Sequence, residues 1–305
     1  MKQVLSVLAS VLLIISCNYF DKEKRRVVHE QEAPLQGKDS AALKIAVMPT
    51  LDCLPLFVAL ERNFFGQGGG DVRLKMFTAQ MDCDTAIMRG HVEGIVTDLV
   101  RAERMRQQGI SLSYVTSTNA YWQLYANRMT RIRKLPQLDD KMLAMARYSA
   151  TDLIADFVAD SAKLKSERLF KVQVNDVYIR LKMLMGNEID AALLTEPQAT
   201  QARLARHYLL MDSRKVPMQL GVVAFCEEVV KDTTRHRQFE LFKKSYNQAC
   251  DSLTHYGIGA YRSVVEKYCK IPESQVDSIP RDIKFQRIAL PLETDIKRVQ
   301  EWLGK

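Results

Sequence analysis

The sequence predicts an α/β protein in two lobes, and three observations predict it. Short apolar runs alternate with helix-period segments from residue 43 onward. The alternation restarts near residue 142, after a connecting strand. A further apolar strand near residue 220 then leads into a helical C-terminal segment. One strand entering and one leaving a second α/β unit make the architecture discontinuous. Lobe 1 is expected over 43–122 plus 220–305, and lobe 2 over 123–219. Strand–helix alternation at this spacing argues for mostly parallel sheets, with a cleft between the lobes.

The elements follow in order. Leu43–Met48 reads as a buried strand, and Leu54–Phe65 as a helix with apolar residues at 54, 57, 58, 60, 64 and 65. Glycines from Gly66 to Gly70 end it. Val72–Phe77 is a second strand, Asp82–Arg89 a short helix, and Gly94–Thr97 a third strand. Ala102–Gln108 is polar and helical, and the basic run Arg101–Arg106 reads as its solvated face. Leu112–Ser117 is a fourth strand and Tyr121–Asn127 the connecting one. In the second unit, Met142–Ala146 is a strand and Asp152–Ala162 a helix. Val172 and Val174 mark a strand; Asp176–Met185 is a helix capped by Asn175 and stopped by Gly186. Ala191–Leu194 is a strand, Pro197–Ala205 a helix, and Leu209 and Leu210 end the unit. Leu220–Phe225 returns to lobe 1, and helices follow at 239–256, 261–268 and 294–303.

The N-terminus sets the compartment. Val4–Ser16 is an apolar run behind Lys2, too short to span a bilayer as a helix but suited to an export signal. It ends in Ile14-Ile15-Ser16-Cys17, which resembles a bacterial lipobox with Cys17 as the acylated residue. The signal is therefore expected over 1–17 and a polar tether over 18–42. This places the protein in the cell envelope, lipid-anchored to a bacterial membrane and facing the periplasm or the exterior. Five cysteines remain in the body, and an oxidising envelope permits disulfides. Cys53 with Cys83 and Cys250 with Cys269 are the two candidate pairs. No spacing of Cys and His matches a metal site, so no metal or cofactor is expected.

The chain has 44 Lys+Arg against 36 Asp+Glu, a formal +8. That balance raises nucleic acid as a partner, with basic residues clustered at Arg101–Arg106 and Arg128–Lys134, yet the first cluster has the helical spacing of a solvated face and no nucleic-acid module appears. Removing Lys2 with the signal leaves 43 against 36, or +7, on the tether and outer helices, where an anionic membrane face is the nearest partner.

Two segments resemble a known family. They are Ile45-Ala46-Val47-Met48-Pro49-Thr50 with Pro55–Glu61 and Phe64-Phe65, and Ile189–Pro197 with its Asp190-Ala191-Ala192 and Glu196-Pro197. They are similar to the periplasmic substrate-binding proteins of ABC importers for sulfonates, nitrate and thiamine precursors. Asn63 stands where that family usually has glycine. The resemblance implies a type II periplasmic-binding-protein fold, two α/β lobes joined by a two-strand hinge. It implies a monomer that closes on one small solute and docks on a permease powered by an ATPase.

Loops after the predicted strands supply the ligand candidates: Asp52, Gln80, Asp82, Thr97, Asp98, Tyr148, Ser149, Thr151 and Glu196. Each sits at a strand end with an exposed hydrogen-bonding group. Helix capping is the competing role for Ser149, Thr151, Asn175 and Asp82. Ser149–Asp152, beside Arg147, opens a helix and offers free N–H groups to an anion. Against this, Asp52, Asp82, Asp98 and Glu196 would make the cleft acidic and favour an amine-bearing heterocycle, such as a thiamine pyrimidine precursor. Tyr121, Trp122 and Tyr148 would stack on its ring, hinge or core packing being their competing role. A sulfonate, taurine or nitrate ligand is the alternative.

An enzyme on the same two-lobed fold is the rival of another class. No Ser-His-Asp ordering, phosphate loop or zinc pattern supports it, so no catalytic residue is assigned. A signalling or adhesion role on this fold is the third possibility.

Overall fold

The computed structural model describes residues 42–66, 71–233 and 235–304. The export signal, Cys17 and the tether through residue 41 lie outside the described residues.

Among the described residues, ten strands run in chain order: β1 (Leu43–Val47), β2 (Val72–Met76), β3 (Gly94–Asp98), β4 (Leu112–Ser117), β5 (Gln123–Ala126), β6 (Lys141–Met145), β7 (Leu169–Gln173), β8 (Ala191–Leu194), β9 (Tyr208–Asp212) and β10 (Gly221–Cys226). They form two five-stranded sheets, ordered β2-β1-β3-β10-β4 and β7-β6-β8-β5-β9. The two orders are the same plan used twice. In each, three strands pair in parallel and a fourth is inserted antiparallel beside them, delivered by the other lobe. Both sheets are thus mixed: β10 separates β4 from its parallel partners, as β5 does for β9.

Helices pack on these sheets. Lobe 1 carries α1 (Leu54–Glu61), α2 (Gln80–Met88) and α3 (Leu99–Gln107). Lobe 2 carries α4 (Ala150–Ser161), α5 (Val177–Met185) and α6 (Gln198–Leu204). After β10 come α7 (Glu227–Lys231), α8 (His236–Tyr256), α9 (Arg262–Cys269), α10 (Glu273–Val276) and α11 (Glu293–Leu303). α1 is apolar on every side and buried from Leu54 to Ala59, so it is a core helix rather than an amphipathic one. Pro55 falls in its first turn, where a missing N–H costs nothing. The lobe 1 core centres on Phe225, whose ring meets Phe239 and Phe242 edge-on at 5.3 and 4.9 Å. Gly94 on the neighbouring strand lets that ring approach: a Cβ there would lie 2.6 Å from it.

Three local expectations are corrected. Asp176, not Asn175, caps α5, accepting from the N–H groups of Tyr178 and Ile179 at 2.8 and 2.9 Å. Arg101 is buried rather than part of a solvated face. All five body cysteines are free thiols, so neither candidate disulfide forms. Cys53 Sγ instead accepts from Met48 N–H at 3.4 Å, and Cys83 is buried on α2 beside Asp84 and Arg101. No helix among the described residues is long and apolar enough to cross a membrane.

Candidate functional site

The lobes meet at the C-terminal ends of their parallel strands, and backbone bonds cross the seam. Leu51 N–H donates to Glu196 O at 3.0 Å, and Val177 N–H to Thr78 O at 3.2 Å. Thr78 Oγ1 donates to Asp176 Oδ2 at 2.6 Å, and Gln198 Nε2 to Pro49 O at 3.1 Å. Between these contacts the two lobes line a cavity of about 70 Å³.

The cavity is built from strand ends of both sheets. Thr50 and Asp52 follow β1, Gln80 follows β2, and Thr97 and Asp98 end β3. Ser149 and Thr151 follow β6, Asn175 and Arg180 follow β7, and Thr195 and Gln198 follow β8. Trp122, just before β5, also lines it. Six of the nine residues expected from the sequence line it: Asp52, Gln80, Thr97, Asp98, Ser149 and Thr151.

The other three do not. Asp82 is exposed on the outer face of α2, and the buried acid of that turn is Asp84. Two residues along a helix turn the side chain by about 200°, which separates the two faces. Tyr148 sits outside the cavity, under the Arg104 guanidinium at 3.9 Å. It lines a separate groove of about 280 Å³ with Arg147. Glu196 is buried beneath α6, where it accepts from Thr200 N–H at 3.0 Å and Tyr121 O–H at 3.2 Å. It caps a helix and packs the hinge. The Ser117–Asn119 loop turns to the hinge rather than the cavity.

Several lining hydroxyls are already committed. Ser149 caps α4 by accepting from Thr151 N–H at 3.1 Å, while Ala146 N–H donates to Thr151 Oγ1 at 2.9 Å. Asp98 caps α3, accepting from Arg101 N–H at 3.0 Å. Burial pushes its carboxyl up to about 6, although the Arg101 charge and N–H donors pull the other way. Burial also raises Asp52, which lines the cavity. No cation pairs with Asp52 among the described residues.

Two arginines that sequence reading did not select dominate the electrostatics. Arg101 Nη1 pairs with Asp84, and its Nε lies 3.8 Å from Asp98 with no hydrogen-bond acceptor. Arg180 is 5 % exposed and has no carboxylate partner among the described residues. Its guanidinium donates instead to Val174 O at 3.0 and 2.8 Å and to Leu193 O at 2.9 Å. Burial, then the Arg101 charge, push it down to about 10, so it stays charged at neutral pH. A buried charge without a counter-charge is costly. Thr97 Oγ1 and Gln198 Oε1 also lack hydrogen-bond partners among the described residues. The cavity therefore offers a cation, an unpaired carboxylate and unmet hydrogen-bonding atoms to whatever fills it. A sequence signal for Arg180 existed: it holds an apolar-face position on α5 with Val177, Leu181 and Leu184.

No family model matches the chain, and no curated protein matches it. Solved structures do. The alkanesulfonate-binding protein SsuA of Xanthomonas axonopodis, bound to MOPS, is 16% identical with a TM-score of 0.72, over 87% of this chain and 91% of that one. The nitrate-binding protein NrtA of Synechocystis is 10% identical with a TM-score of 0.67, over 83% and 74%. A Candida albicans protein with the generic periplasmic-binding-protein fold is 10% identical with a TM-score of 0.68, over 86% and 90%. Likeness at this identity establishes the fold: two α/β lobes of the type II periplasmic-binding-protein class.

Proposed function

We propose that this chain is the solute-binding component of an ABC importer, working by binding rather than catalysis. The observation that carries the reading is the interlobe cavity with Arg180 buried in its wall and without a carboxylate partner among the described residues. An anionic group entering there meets the Arg180 and Arg101 charges, in surroundings where charge-assisted hydrogen bonds are strong. The solute is a small acid such as a sulfonate, taurine or nitrate. Asp52, Gln80, Thr97, Asp98, Ser149 and Thr151, together with Arg101, Arg180 and Gln198, are its proposed contacts. The sulfonate- and nitrate-binding neighbours on this fold support that choice. The loaded, closed form docks on a permease driven by an ATPase, and Cys17, acylated, tethers the protein to the envelope membrane.

Asp52 favours a second reading. It lines the cavity and forms no ion pair among the described residues, which suits an amine-bearing heterocycle such as a thiamine pyrimidine precursor. The case for that ligand is weaker than the acid count implied. Asp82 and Glu196 do not reach the cavity, and Asp98 is faced by Arg101.

Thermal-shift screening of the full chain separates the readings. The panel is taurine, methanesulfonate, nitrate, aminopyrimidines and spermidine. A solute at a hundred times its Kd stabilises by about 2.7 kcal/mol, several degrees for a protein of this size. Stabilisation by taurine, methanesulfonate or nitrate is the expected result. Stabilisation by the amines alone selects the second reading, and none at all removes both.

A further inference from the structure

A second set of contacts joins the lobes away from the cavity. Arg104, on α3 of lobe 1, lies over the Tyr148 ring of lobe 2 at 3.9 Å. Tyr148 holds a φ of 51°, in the left-handed region that non-glycine residues seldom occupy. Its N–H donates to Asp152 Oδ2 at 2.8 Å, and Asp152 Oδ1 pairs with Lys171 Nζ at 2.8 Å. Lys171 also contacts Asp156 Oδ1, and Asp156 Oδ2 accepts from Trp302 Nε1–H at 3.0 Å. Trp302 lies in the last turn of α11, which packs along α3 and is fixed to it by Gln300 Nε2 donating to Glu103 Oε2 at 2.8 Å. Two helices of lobe 1 thus grip α4 of lobe 2 at two points, the Tyr148 turn and Asp156, joined through Lys171.

We propose that Arg104 and Trp302 form an interlobe clasp that holds the cleft shut before any solute arrives. Both contacts exist only when the lobes are together, so each stabilises the closed state selectively. Neither residue lines the cavity. On the reading that the cavity is the solute site, a solute that the closed cavity does not admit must undo the clasp to enter. The clasp itself requires no solute, so its test is independent of that reading.

Residue-resolved hydrogen exchange on the full chain without solute tests it. The reporters are the amides of Leu51 and Val177, each bonded to a carbonyl of the other lobe. In an Arg104→Gln/Trp302→Phe variant, exchange at both should rise about tenfold, the loss expected for two contacts of ordinary strength. The β1 amides should keep their protection. Unchanged protection at Leu51 and Val177 overturns the clasp. If the double variant exchanges throughout, Trp302→Phe alone is read in the same way. Failure of every solute to bind, with the exchange result intact, counts against the transport reading and leaves the clasp standing.

Discussion

Asp98→Asn offers a quantitative test of the cavity's electrostatics. Asp98 is 6 % exposed, and burial raises its carboxyl from 3.8 to about 6. A shift of about two units corresponds to about 3 kcal/mol between protonation states. The folded pKa lies above the unfolded one, so the folded state holds the proton more tightly. This group's contribution is therefore fully present below the unfolded value and is lost as pH rises through the folded value. Asparagine caps helices as well as aspartate does, so the variant keeps the bond to Arg101 N–H without the titration. Urea unfolding of both proteins at about pH 3 and about pH 7 isolates the effect. Relative to Asp98→Asn, the parent should lose about 3 kcal/mol on going to the higher pH. A difference that stays the same at both pH values refutes the assignment.

Three further outcomes follow from the packing. Gly94→Ala should cost about 1–3 kcal/mol in urea unfolding, because Phe239 and Phe242 leave the Phe225 ring no room to retreat; an unchanged midpoint contradicts this. Glu196→Ala should lower thermal stability by about 1–3 kcal/mol, since Thr200 N–H and Tyr121 O–H lose their acceptor, while solute affinity is unchanged. A large affinity loss with full stability would return Glu196 to the site. Asp82→Ala should change stability by less than about 0.5 kcal/mol and leave affinity alone. Weakened binding in titration would show that Asp82 reaches the solute.

The readable parts of this sequence were those fixed by local pattern. Leu43–Val47 and Ala191–Leu194 are short apolar runs between turn signals, and both are buried strands. Loops after such strands were found because position alone nominates them. The insertion of β10 between β3 and β4 depends on a partner more than a hundred residues away, which no local window contains. Arg101 was hidden by its company: Arg101–Arg106 is polar overall, and the buried side of α3 carries the arginine that pairs with Asp84. Counting carboxylates overstates the acids lining the cavity for a related reason, since Asp82 and Glu196 do not line it. Charge type is visible in sequence, but the face a side chain takes and the partner it meets are not. Asp82 and Asp84 differ by two positions and end on opposite sides of one helix.

The central claim is that the Arg180 guanidinium, buried in the wall of the interlobe cavity without a carboxylate partner among the described residues, receives an acidic solute. Equilibrium titration with the best-stabilising acid, comparing the parent with Arg180→Gln, tests it most directly, the urea midpoint confirming that the variant is folded. Loss of a charged hydrogen-bonding partner is worth about 1.5–3 kcal/mol, so affinity should fall about ten- to a hundredfold. Equal affinity for parent and variant would contradict the account.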